Sequence, residues 1–190
     1  MIFDKAYFDG KLVNNPNPAG YGCYKLSAYS DESAYQRATI LRAQLGYDAK
    51  NILILGCAYG FLVEELVKSG RNAFGLDISE YALSQASVDV SAKLVLGDAS
   101  KQADYTAVLQ LAGIEKFDAI VSENMLCCLT DLEIKALNLI TKEVATRVVH
   151  LVSEAENLSQ WYNYKSIKEY NSFLPGNGAR WYSLITWSLS

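Results

Sequence analysis

The sequence predicts an α/β protein: a doubly wound, mostly parallel sheet of six or seven strands with helices on both faces. Three observations carry this. Short apolar runs alternate with helical stretches along the chain, with short links between them. The most continuous run, Ile52-Leu53-Ile54-Leu55, shows no polar alternation, as expected of a strand buried on both faces. That run leads into a glycine turn, Gly56-Cys57-Ala58-Tyr59-Gly60. The turn leads into a helix with the apolar stripe Leu62, Val63, Leu66 and Val67.

Taken in order, residues 1–30 differ in kind from the rest. They hold Tyr7, Phe8, Tyr21, Tyr24 and Tyr29, and the turn-forming run Asn14-Asn-Pro-Asn-Pro-Ala-Gly20, with no sustained periodicity. Two readings stand: a surface extension, or an aromatic lid over a binding site. Residues 31–190 read as a single cofactor-binding catalytic domain. Ser30 or Asp31 caps a helix with the stripe Ala34, Ala38, Leu41, Leu45, ended near Gly46. Strands follow near 51–56, 72–77, 93–97, 117–123, 146–152 and 181–189. Helices are expected near 60–69, 79–87, 103–112, 130–142 and 164–173. The first strand, being the most apolar, belongs at the centre of the sheet. Crossovers are right-handed. After the fifth strand one helix and one clear strand remain legible, so the far edge of the sheet reads as abbreviated.

A strand, a glycine turn and a helix N-terminus together make a binding site at the carboxyl end of a parallel sheet. Glycines at 56 and 60 let the backbone turn sharply and approach a ligand. A dinucleotide fingerprint would place its last small residue at Phe61, whose ring is too bulky for close helix–strand contact.

The turn instead resembles the G-x-G-x-G loop of the Rossmann-like, class I S-adenosylmethionine-dependent methyltransferases, of the small-molecule type. Three further segments fit in order and spacing: Asn72-Ala-Phe-Gly-Leu-Asp77, Ala92-Lys-Leu-Val-Leu-Gly-Asp98-Ala99 and Phe117-Asp-Ala-Ile-Val-Ser-Glu-Asn124. The resemblance spans roughly residues 34–152. It implies S-adenosylmethionine as cofactor, with Gly56, Cys57, Ala58, Tyr59 and Gly60 wrapping its methionine and ribose. It implies that Asp77 accepts from the ribose hydroxyls, a task suited to two side-by-side carboxylate oxygens. Ile78 would lie beside the adenine, and Asp98 and Ala99 would meet its amino group. Glu123 and Asn124 would end the fourth strand where the methyl emerges. Two positions depart from the family pattern. Ile54 stands where an acid usually serves the cofactor's ammonium, and Ala58 replaces the middle glycine.

Methyl transfer from a sulfonium is an in-line displacement, so the protein chiefly aligns the nucleophile and excludes water. A base is needed only when the acceptor must lose a proton early, as a hydroxyl does. His150, the only histidine, and Glu123 are the candidates for that role. A lone histidine in an apolar strand, as His150 is, more often reads as a hydrogen-bonded core residue. Leu126-Cys127-Cys128 occupies the place where small-molecule members often have Glu-His. Trp161-Tyr162-Asn163-Tyr164 lines an acceptor pocket or packs under the last helix. Asp118, at the amino end of its strand, reads as structural.

Composition narrows the function. Of 190 residues 51% are hydrophobic, which excludes global disorder. The formal charge of −4 and the absence of a basic run argue against a nucleic-acid substrate. No apolar run reaches membrane-spanning length and the N-terminus has no signal-like apolar region, so a cytoplasmic protein with no membrane partner is expected. Cys23, Cys57, Cys127 and Cys128 lack metal-ligand spacing, so no metal is expected and the thiols read as reduced. The resulting expectation is a methyltransferase acting on a small molecule through an oxygen or nitrogen nucleophile. A non-catalytic cofactor-binding or regulatory protein is the alternative, with a nucleic-acid methylase behind it.

Overall fold

The structure is a computed structural model that describes residues 3–11, 38–39, 41–153, 165, 167–174, 177–181 and 184–188. Its strands are β1 (Asn51–Leu55), β2 (Asn72–Asp77), β3 (Leu94–Leu96), β4 (Ala119–Glu123), β5 (Val148–Ser153), β6 (Asn177–Trp181) and β7 (Leu184–Ser188). They join in one sheet in the order β3-β2-β1-β4-β5-β7-β6. The first five strands pair in parallel, and β7 is antiparallel to both β5 and β6. β1 is internal, as its unbroken apolar run requires.

Alternation along the strands sorts the core into two layers. Leu53, Leu55, Ile120, Val148 and Val152 face one side with Tyr105, Val108, Ile134, Leu137 and Tyr170. Ile52, Ile54, Val121, Val149 and Leu151 face the other with Leu41, Leu45, Val63 and Leu66. These layers draw on the helices α2 (Phe61–Lys68), α4 (Gln102–Ala112), α5 (Asp131–Val144) and α6 (Ile167–Phe173). The helix α5 starts where the sequence provides a capping box. Thr130 accepts from the Glu133 N–H, and the Glu133 side chain accepts from the Thr130 N–H at 2.7 Å. Asp118 accepts from the N–H groups of Lys50 and Asn51 at 2.8 and 2.7 Å, a structural clamp at the amino end of the sheet.

Three readings are adjusted. The strand expected over 181–189 is β7, and a further strand, β6, precedes it and pairs with it antiparallel, so the far edge of the sheet holds two strands and is not abbreviated. Asn177 and Gly178 have weak intrinsic strand preference, and pairing with β7 supplies what they lack. The helix expected over 79–87 is α3 (Glu80–Ser84), one turn and a little more. A four-residue helix, α1 (Lys5–Phe8), lies in the segment read as irregular, with Asp4 accepting from the Tyr7 N–H. Residues 31–37 and 40 of the first expected helix lie outside the described residues, as do 12–30 of the N-terminal extension and the 161–164 aromatic run. The backbone is helical at 38–39 and 41–45. Among the described residues no helix is long and apolar enough to cross a membrane.

Candidate functional site at the carboxyl edge of the sheet

The turn after β1 is held by its neighbour strand. The N–H groups of Gly56 and Cys57 both donate to Leu76 O, at 2.8 and 3.3 Å. Three of the five turn residues then take the left-handed region: Gly56 at φ 67°, Ala58 at φ 48° and Gly60 at φ 78°. Glycine accepts this freely, whereas Ala58 pays strain through its Cβ. Gly56 is also needed for space, since a Cβ there would lie 2.8 Å from Met125 Cγ. Met125 thus covers the turn from the end of β4, a neighbour for which the sequence holds no signal. Cys57 is buried, and its sulfur fits because position 75 is glycine: a Cβ there would lie 2.5 Å from it. Burial, with the Asp77 charge nearby, pushes its thiol pKa well up, so Cys57 packs as a neutral small hydrophobe.

Asp77 ends β2 at 9% exposure. Its Oδ2 accepts from the Ala58 N–H at 2.7 Å, and its Oδ1 from the Ser79 N–H at 2.8 Å. Burial raises its pKa, and the N–H groups of Ser79, Ala58 and Ile78 oppose that rise. Each oxygen keeps lone-pair capacity for one more donor. Beside it Ile78 is 56% exposed, and Leu96, paired with Asp77 across the ladder, is 53% exposed. Two exposed aliphatics flanking a buried carboxylate suit a flat heteroaromatic ligand with hydroxyls at one end.

Asp98 follows β3. Its Oδ1 accepts from both the N–H and the hydroxyl of Ser100 at 2.9 and 2.7 Å, and Lys101 lies 3.4 Å from Oδ2. Burial raises its pKa, but the Ser100 bonds and Lys101 outweigh this and hold it below the usual value. The segment is fixed from beneath by α4: Asp104 accepts from the Asp98 N–H at 2.8 Å, and the Tyr105 hydroxyl donates to Ala99 O at 2.8 Å.

At the end of β4, Glu123 is half-buried and Asn124 adopts φ 49°. The Asn124 N–H donates to Leu151 O at 2.8 Å, and the Cys127 thiol donates to Asn124 O at 3.1 Å. The bond to Cys127 and burial keep the Cys128 thiol protonated. His150 lies further inside, at 2% exposure, with Nδ1 2.7 Å from the Ser122 hydroxyl. Its Nε2 has no hydrogen-bond partner among the described residues, and burial lowers its pKa to about 4. The structure therefore buries His150 within the sheet, in the middle of β5. Ser122 was not legible as its partner, because only the parallel β4–β5 register brings the two together.

Residues 3–11 dock beside the turn. Phe8, buried to 4% exposure, shares an apolar cluster with Ala58 and Ala82, bordered by Tyr59 and Tyr81. The Phe8 and Tyr59 rings lie 5.4 Å apart. Burial, then Tyr81, raises the Tyr59 pKa to about 12. Ser79 donates its hydroxyl proton to Phe3 O.

A seven-stranded sheet in this order, with a glycine turn after β1 and acids at the end of β2 and just past β3, defines a Rossmann-like α/β protein. Residues 53–146 match the family described as methyltransferase domain. Over these residues the chain carries a methyltransferase domain of the class I, S-adenosylmethionine-dependent kind.

Solved structures share the fold at low identity. The PH0226 protein of Pyrococcus horikoshii superposes with a TM-score of 0.65 at 13% identity, over 88% of this chain and 97% of that one. The magnesium protoporphyrin IX methyltransferase of Synechocystis, solved with bound S-adenosylmethionine, gives 0.61 at 14%, over 95% of each chain. A glycopeptide N-methyltransferase gives 0.52 at 18%, over 65% of this chain, which spans 56% of that enzyme's length. No curated protein matches the chain in sequence.

Proposed function

We propose that the protein binds S-adenosylmethionine along the carboxyl edge of β1, β2 and β3 and transfers its methyl group to a small molecule bearing an oxygen or nitrogen nucleophile. The observation that carries this is Asp77. A carboxylate held by one N–H on each oxygen is fixed in orientation, with lone pairs left for two ribose hydroxyls. Gly56, Cys57, Ala58, Tyr59 and Gly60 border the methionine part, Ile78 the adenine face, and Asp98 and Ala99 the adenine edge. Glu123 and Asn124 border the reacting centre.

Bound there, the sulfonium supplies an already activated methyl. The chain's residues align the acceptor and exclude water. Glu123, half-buried at the end of β4, takes the proton of a hydroxyl acceptor. His150 stays behind it as a neutral core group. The four strand-end segments act together, and residues 3–11 form part of the cover. Titration with S-adenosylhomocysteine, followed by methyl-transfer assays over a panel of small alcohols, phenols and amines, tests the reading. Affinity with transfer is expected.

The second reading, a cofactor-binding protein without catalysis, draws on Ile54, which is buried in the apolar layer where the family's acid would stand. Affinity without transfer to any acceptor would favour it.

A further inference from the structure

Two of the three N–H groups that face Asp77 come from Ala58 and Ser79, and the N-terminal segment touches both residues. Ala58 shares its buried apolar cluster with Phe8. Ser79 is a junction of three bonds. Its N–H donates to Asp77 Oδ1 at 2.8 Å, its hydroxyl oxygen accepts from the Ala82 N–H at 3.0 Å, and its hydroxyl proton goes to Phe3 O. A hydroxyl has one proton to give, so no other carbonyl can take the place of Phe3 while this bond stands. Lys5 ties the same segment to α3 again, through the Tyr81 hydroxyl at 3.4 Å and the Tyr81 ring at 5.3 Å from its centroid. The Phe8 ring stacks near both Tyr59 and Tyr81, at 5.4 and 6.0 Å between centroids. The segment therefore braces the residues on both sides of one carboxylate.

We propose that residues 3–8 are a positioning element for Asp77: Phe8 and the Phe3 carbonyl fix Ala58 and Ser79 so that their N–H groups orient the ribose carboxylate. This rests on the reading of Asp77 as a cofactor ligand. It differs from a cover that merely excludes water, because the segment acts through the geometry of one named group. Ala58 makes the coupling sensitive. A left-handed alanine is held only by its surroundings, so loss of Phe8 lets the residue relax and its N–H turn from Asp77.

The test is a double-mutant cycle read by calorimetric titration of S-adenosylhomocysteine into the wild type, Phe8→Ala, Asp77→Asn and the double variant. Phe8→Ala is expected to weaken binding about fivefold or more, the scale of coupling within one hydrogen-bonded network. In the Asp77→Asn background the same change should weaken it less than about twofold, because the group being positioned is gone. Phe8→Leu, which keeps a buried apolar anchor, should bind like the wild type. Equal factors in both backgrounds, or unchanged affinity in Phe8→Ala, overturn the positioning role while leaving Asp77 as a ligand. Wild-type affinity in Asp77→Asn overturns the ligand reading and the positioning role with it. Should Phe8→Ala not fold, Phe8→Val reads the same coupling at smaller amplitude.

Discussion

The Ala58 N–H reaches Asp77 Oδ2 at 2.7 Å only because Ala58 stands in the left-handed region, at φ 48°. The turn after β1 and the carboxylate after β2 are thereby one unit. The family pattern has a glycine at this position, and the chain keeps its backbone conformation with a methyl group added. That methyl joins the buried cluster under Phe8, so part of the strain is offset by apolar contact.

Ala58→Gly should therefore relieve strain and lose packing at the same time. The left-handed conformation costs an alanine about 1–2 kcal/mol relative to a relaxed residue. One buried methyl returns roughly 0.8 kcal/mol. Stability should hold or rise by up to about 1 kcal/mol. Ala58→Val, β-branched in the same conformation, should destabilise by more than about 1 kcal/mol. Chemical denaturation of the three proteins measures the order, and a glycine variant less stable than valine would contradict the strained-alanine account.

Asp77→Ala should weaken S-adenosylhomocysteine binding by about 1.5–3 kcal/mol, the range for losing charge-assisted hydrogen bonds. It also strands the Ala58 and Ser79 N–H groups, so thermal stability should fall without cofactor present. Calorimetry of both quantities checks it. An unchanged affinity would remove Asp77 from the site.

Much of this was legible because parallel strands buried on both faces leave strong marks. The run 52–55 placed β1 inside the sheet, and the segments ending at 77, 98 and 124 marked three further strands. What was not legible depends on contacts far apart in sequence. β6 is a strand because β7 pairs with it, not because Asn177-Gly-Ala-Arg-Trp181 favours one. Met125 lies on Gly56, and Ser122 meets His150, through packing across β1, β4 and β5. Ser79 had a local signal, a serine two residues after a strand-ending acid and opening a helix, but nothing local pairs it with Phe3. His150 shows the limit of position alone. It sits in the middle of β5, and its alternation with Val149 and Leu151 turns it to the other face of the sheet, beside Ser122.

Gly75→Ala tests the packing behind the turn. The added Cβ would lie 2.5 Å from Cys57 Sγ, 2.8 Å from Cys57 Cβ and 2.7 Å from Leu94 Cδ2. Cys57 Cβ cannot swing away as a side-chain tip could, so the turn itself must shift. The expected loss is about 1–3 kcal/mol of stability, with weaker cofactor binding as a consequence. Cys57→Ala in the same background should recover only part, since it removes the sulfur contact and leaves the Cβ. Full recovery would show that the sulfur alone is the obstacle.

His150 gives a pH dependence with a definite sign. Burial lowers its pKa to about 4 in the folded protein, while an unfolded histidine titrates near 6.5. Between these values the unfolded chain binds a proton that the folded chain does not. The stability tied to neutral His150 is complete above about pH 6.5 and is lost as the pH falls toward about 4, by roughly 3 kcal/mol in all. Asp77, whose pKa is raised by burial, runs the other way and offsets part of the loss. The informative quantity is therefore the difference between the wild type and His150→Gln in urea denaturation across this range. The wild type should lose more stability on acidification, and parallel curves would mean that His150 is solvated. The same variant separates the two candidate bases. For a hydroxyl acceptor, Glu123→Gln should lower turnover by about 100-fold or more, the scale of a lost general base. His150→Gln should lower it only a few-fold, through the disturbed Ser122 contact. The reverse ranking would put the proton on His150 Nε2 and require the β5 edge to open for the acceptor.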